Sequence, residues 1–160
     1  MGIMKIGLAA LVATLLGSSA AGAAEQVYTA KLDGASEVPK VESKAAAEAT
    51  FTVSPDGKKI EYTLMVRDLY DATMAHIHLG AAGKNGPVVV RLYPVSGTSK
   101  LIKGQDNGLL AKGEITAASL QGPEKGKPLS ALVKAMQDGD AYVNVHTAEH
   151  KACEIRGEIK

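Results

Sequence analysis

Four histidines stand in this 160-residue chain, and three of them fall in patterns that suit metal chemistry. His76 and His78 are separated by one residue within AHIHLGAAGKNGPVVV, and His146 closes YVNVH. On a β-strand, alternate residues share a face and lie ~6.5–7 Å apart. Two neutral imidazoles at that spacing suit one copper or zinc ion, which takes nitrogen ligands at ~2.0–2.1 Å. The strand period puts Ile77 toward the core, and His76 and His78 on the opposite face. It likewise sets Val143 and Val145 against Asn144 and His146. The last two strands are joined by a short loop and are expected to pair antiparallel, which brings Arg156 to the face of Asn144. If the His76 strand lies beside this hairpin, one surface patch gathers His76, His78, His146, Asn144 and Arg156. His150 and Cys153 in the adjoining loop are candidate extra ligands. The alternative is a structural role, in which the histidines, Asn144 and Arg156 form a polar network that pins the sheet. Arg156 stands between Glu154 and Glu158, the setting of a surface salt bridge.

The elements that must position these residues are strands. Val27 to Leu32 alternates, as do Ala47 to Val53 and Ile60 to Val66, the last two flanking Pro55-Asp56-Gly57, a hairpin signal. Ala75, Ile77 and Leu79 form the apolar set of a further strand, followed by a Gly80–Pro87 loop and a Val88–Leu92 strand. Pro94 to Asn107 is expected to be a long excursion, and Leu109 to Ile115 a weaker strand. Leu129, Leu132, Val133 and Met136 recur with the helix period, and Gly139 follows as a stop. This is the pattern of an all-β antiparallel sandwich or barrel, Greek-key-like, with one short helix near 129–138.

Lys5 followed by the apolar stretch Gly7–Leu16 and small residues at 21–24 reads as a signal peptide, too short to span a bilayer. Cleavage near Ala24 leaves one domain, 25–160, exported to the periplasm or beyond, with no membrane attachment after cleavage. The alternative is an uncleaved anchor. Without Lys5 the 18 basic residues become 17, balancing 17 acidic ones, so no basic stripe invites nucleic acid. With a single cysteine, no disulfide forms within the chain. Parity places Cys153 with Ile155 and Ile159, buried as a small hydrophobe, which argues against its acting as a nucleophile with His146 or His150. No nucleophile elbow, phosphate loop or dinucleotide fingerprint is present, so the chain is expected not to be an enzyme; a redox activity on a copper patch is the least favoured reading. A protein partner and the oligomeric state are not encoded legibly.

Four stretches in order, LDGASEVP (32–39), AHIHLGAAGKNGPVVV (75–90), YVNVHT (142–147) and EIRGEI (154–159), resemble the CHRD domain, named after chordin, which carries several copies. Bacteria also carry it as a single exported domain. The resemblance implies an extracytoplasmic, mostly β domain without an established catalytic activity. It matches His76 and His78 to the family's HIH, Asn144 and His146 to its NVHT, and Arg156 and Gly157 to its EIRG. The chain departs from it before EIRG, where His150-Lys151-Ala152-Cys153 replaces the usual proline and glycine, and at Ala45-Ala46-Ala47, where a glycine is usual. The first change adds an imidazole and a thiol, the latter a ligand that Cu(I) favours. A weaker likeness, of geometry only, links the HIH pair to copper/zinc superoxide dismutases.

Overall fold

The computed structural model describes residues 24–160, so all of the expected signal segment but Ala24 lies outside the described residues. Seven strands follow in chain order: β1 (Gln26–Asp33), β2 (Ala46–Val53), β3 (Ile60–Leu79), β4 (Val88–Tyr93), β5 (Ile102–Ile115), β6 (Ala141–Thr147) and β7 (Ile155–Glu158). One α-helix, α1 (Leu129–Asp138), precedes β6. Every pairing is antiparallel. β1, β2, β3, β6 and β7 close a ring, and β4 and β5 pair with β3 outside it. Reciprocal backbone bonds of 2.8 Å between Thr29 and Lys160 extend the β1–β7 seam. The expected all-β fold with one short helix is therefore present, as a five-stranded barrel with two added strands.

An odd ring of antiparallel neighbours closes only if one member changes direction, and β3 is that member. Its first half pairs with β2, its second with β6. Between them the register shifts, and Asp68 and Asp71 both take φ of 51°. Such bulged, left-handed positions bend a strand and suit aspartate better than most residues. The Asp71 carboxylate accepts from Gly104 N–H at 2.7 Å, and Asn107 Oδ1 accepts from Asp68 N–H at 2.9 Å, tying the corner to β5. The two alternating runs at 60–66 and 75–79 thus belong to one bent strand. The expected excursion from Pro94 to Asn107 is also shortened, because β5 begins at Ile102 to support this corner.

The period-two reading holds for the core. Ala49, Phe51, Ile60, Leu64, Ala75, Ile77, Val143, Val145 and Ile155 are fully buried. On α1, Leu129, Leu132 and Met136 are buried, and Gly139 caps it with φ of 75°. The opposite face of β6 is where the pattern misleads. All seven residues of β6 are buried, because the connections before β2, before β4 and before β7 fold over that face. Two backbone approaches leave no room for side chains, one at the β1–β7 seam and one in the connection before β4. A Cβ on Gly157 would stand 2.1 Å from the Lys31 carbonyl oxygen, and one on Gly86 would stand 1.6 Å from that of Leu79. Among the described residues no helix is long and apolar enough to cross a membrane.

Gly157→Ala must push β7 away from β1 at the barrel seam. The expected cost is at least the ~1–3 kcal/mol of an overpacked core site, read as a lower urea midpoint. An unchanged midpoint would contradict the described seam.

Candidate metal centre

The β3–β6 register assembles the site. His76 lies directly opposite Asn144, His78 opposite Tyr142, and Met74 opposite His146. His146 is therefore the diagonal neighbour of His76, a relation within reach of ring side chains. The next pairing sets Arg156 of β7 opposite Asn144. The adjacency that sequence parity needed is thus met, and the three imidazoles meet. His76 Nδ1 stands 3.2 Å from His146 Nε2. The rings of His76 and His78 have centroids 5.8 Å apart, and those of His76 and His146 5.1 Å, both edge to face. Among the described residues, these three histidines form the group of metal-ligating side chains whose ligand atoms all lie within 4.8 Å of one another.

Backbone carbonyls fix two of the tautomers. His78 Nδ1 donates to the Gly86 carbonyl at 2.8 Å, and His146 Nδ1 donates to that of Lys151 at 2.9 Å. Each neutral ring then carries its lone pair on Nε2. This is the arrangement by which protein groups orient metal-binding histidines. The buried His78 Nε2 has no hydrogen-bond partner, and neither does the buried Asn144 Oδ1. With His146 Nε2 already an acceptor, His76 Nδ1 is left to donate to it. An ion entering here needs one change of protonation, transfer of the His76 proton from Nδ1 to Nε2. Two nitrogens bound to one tetrahedral ion at ~2.0–2.1 Å lie about 3.3 Å apart, close to the 3.2 Å seen between His76 and His146.

Burial sets the charge state. His76 is pushed down to about 4, first by desolvation and then by the positive charges of His146, His78 and Arg91, the last paired with it across β4. Desolvation also lowers His78 and His146; for His146 the hydrogen bond to the Lys151 carbonyl, and then the negative charge of Glu37, partly offset this. All three rings are neutral at neutral pH, the form that binds metal.

A second layer holds the first. Tyr142 stacks on His78 at 4.9 Å and 16°, and the Arg156 guanidinium carbon lies 3.4 Å over the Tyr142 ring. The Tyr142 hydroxyl accepts from Gly86 N–H at 3.1 Å, so Gly86 links Tyr142 to His78 through its two backbone groups. Arg156 is fully buried, against the expectation of a surface salt bridge. It donates to Glu158 at 2.8 and 3.2 Å, to Asn85 Oδ1 at 3.1 Å and to the Ala81 carbonyl at 3.4 Å. Glu154 turns elsewhere, accepting from Ser43 at 2.6 Å and Thr147 at 2.7 Å, which clamps the β1–β2 connection over the site.

The cluster is not a surface patch: His76 and His146 are buried, each 8% exposed, and His78 is half-buried. Cys153 and His150 do not join the three-histidine group; both line the adjacent cleft. The Cys153 thiol is buried and donates to the carbonyls of Val145 (3.4 Å) and Ile155 (3.3 Å). Desolvation, then Glu37, raises it far above the ordinary thiol range, so it stays protonated and a poor ligand. Sequence reasoning gave no role to Glu37, which is buried in the same cleft, or to Tyr142. Parity placed Tyr142 on the right face, but nothing in the sequence announced its stacking; Glu37 sits in a connection, where no periodicity operates.

A family model for the CHRD domain matches residues 28–159. The chain belongs to the CHRD domain family. Comparison with curated proteins and with solved structures returns no match. The HIH, NVH and EIRG segments of this CHRD domain are the ones that build the centre: two supply the imidazoles, and the third supplies the arginine beneath Tyr142.

Two outcomes follow. Because the histidines titrate lower in the folded than in the unfolded chain, the unfolded state binds more protons below about pH 6.5. Metal-free stability should therefore hold above that value and fall as the pH drops toward 4, with a shallower slope in His76→Phe. Urea midpoints measured across that range check it; a flat profile would contradict the burial of neutral rings. Arg156→Ala strands Glu158 and unstacks Tyr142, and should cost about 3 kcal/mol in the same assay.

Proposed function

We propose that this CHRD domain is an exported metal-binding domain that holds one copper ion, or alternatively zinc, through His76, His78 and His146. The observation that carries the reading is the convergence of buried lone pairs. One ring nitrogen of each of His76, His78 and His146 lies within 4.8 Å of the others, carbonyls orient two of the rings, and the buried His78 Nε2 and Asn144 Oδ1 lack partners. A cation in that space would satisfy acceptors that otherwise cost free energy to bury. Neutral imidazoles suit copper and zinc alike, and the protonated Cys153 thiol gives no preference for Cu(I). Export rests on the signal-like segment at 1–24. The reading is one of binding, not catalysis.

A second reading has support of its own. The bond between His76 and His146 and the buried Arg156 network would pin the sheet with no ion present. The two readings part in one experiment. The purified protein is stripped, loaded separately with Cu(I), Cu(II) and Zn(II), desalted and assayed for bound metal. The metal reading expects one equivalent retained, lost in His76→Ala/His78→Ala and kept in Cys153→Ser. No retained metal in any form leaves the structural reading.

A further inference from the structure

Asn144 stands at the middle of the histidine group. It lies directly opposite His76, so His78 is its diagonal neighbour across β3, and His146 is the next residue but one along β6. Side chains directly opposite have Cβ atoms ~4.5–5.5 Å apart, and diagonal or alternate ones are ~7 Å apart. One short side chain at this position therefore borders all three imidazoles. Its oxygen is an acceptor without a donor. Asn144 is 4% exposed, and its Oδ1 is buried with no hydrogen-bond partner. The rings beside it have no proton to spare, since His76 Nδ1–H goes to His146 and His78 Nδ1–H to the Gly86 carbonyl. The Asn144 side chain is nevertheless close enough to accept from His76 or His78 once either is charged, which raises both against the pull of desolvation. A partial negative charge is thus held where added positive charge on these rings is felt, and burying it unpaired costs free energy.

Zinc-type sites closed by four protein ligands are structural, whereas those with three keep a position for an exogenous molecule. Here no fourth histidine, cysteine or carboxylate joins the three imidazoles among the described residues. Resting on the metal reading above, we infer that Asn144 Oδ1 is the fourth ligand of the ion held by His76, His78 and His146, and that it closes the centre. The protein then supplies a neutral set of three nitrogens and one oxygen. Four-coordination needs nothing from solvent, in keeping with the burial of His78 Nε2 and Asn144 Oδ1. The ion is a structural one that ties β3 to β6, not a centre that takes up a small molecule.

The test titrates the purified protein with Co(II), a coloured stand-in for Zn(II), and then adds azide as a probe of any open position. The unaltered protein should show the intense visible bands of a four-coordinate ion, unchanged by azide. Asn144→Leu, similar in size but without the oxygen, should bind Co(II) at least tenfold more weakly, and its bands should shift when azide enters the vacated position. Asn144→Asp keeps an oxygen there and adds charge, so it should keep the four-coordinate bands and bind several-fold more tightly. An azide response in the unaltered protein would overturn the inference and leave the metal reading standing. So would an Asn144→Leu protein that binds Co(II) and gains no azide response. Where Asn144→Leu fails to fold or to bind, Asn144→Asp decides, and weaker binding than in the unaltered protein would overturn the inference. A protein that binds no Co(II) at all would overturn it too, with the metal reading then judged by the copper and zinc loading above.

Discussion

The register of β3 on β6 is the constraint on which the rest of the structure depends. With His76 opposite Asn144, His146 becomes its diagonal neighbour, and Arg156 on β7 completes the row. A slip of one residue along β6 would bury Asn144 and His146 in the apolar core and turn Val143 and Val145 out. The fully buried Ala75, Ile77, Val143 and Val145 therefore fix the register through ordinary hydrophobic burial. The polar centre is positioned by the apolar face behind it. The bend in β3 serves the same end, since it lets one strand pair with β2 at one end and with β6 at the other.

Burial gives the centre its chemistry. Exposed imidazoles would be partly protonated near neutral pH and free to rotate. Here desolvation keeps them neutral, and the carbonyls of Gly86 and Lys151 each take the Nδ1 proton of one ring. The ordering cost is met in folding rather than on binding an ion. Arg156 is the counterpart: a permanently charged group, fully buried, made tolerable by Glu158, Asn85, Ala81 and the face of Tyr142.

Much of this was legible in the sequence because strand parity is a strong signal where one face is apolar. Ile77 and Val145 set the faces of His76, His78, Asn144 and His146, and the expected hairpin added Arg156, but the adjacency of β3 and β6 that joins them had to be assumed. The helix and its Gly139 stop followed from the same kind of pattern; Cys153 is buried, but against the cleft and not in the core with Ile155 and Ile159, because β7 begins only at Ile155 and strand parity does not reach back to it. Parity assigns a face, though, and not its exposure. The connections that cover the outer face of β6 are irregular, so neither the depth of the histidines nor the burial of Arg156 could be read. The corner of β3 hid for a related reason: Asp68 and Asp71 interrupt the alternation, and an interruption reads as a strand end. Glu37 escaped because its place in the cleft depends on tertiary contacts of a loop.

The most direct test of the account is the state of the imidazole nitrogens themselves. Long-range proton–nitrogen correlation spectra of the metal-free protein should show His78 and His146 protonated at Nδ1, with unprotonated Nε2. On adding one equivalent of Zn(II), those two Nε2 signals and the Nδ1 signal of His76 should move together, and His150 should stay in place. Zinc that shifts only His150, or a metal-free His78 protonated at Nε2, would contradict a centre built from the three converging rings.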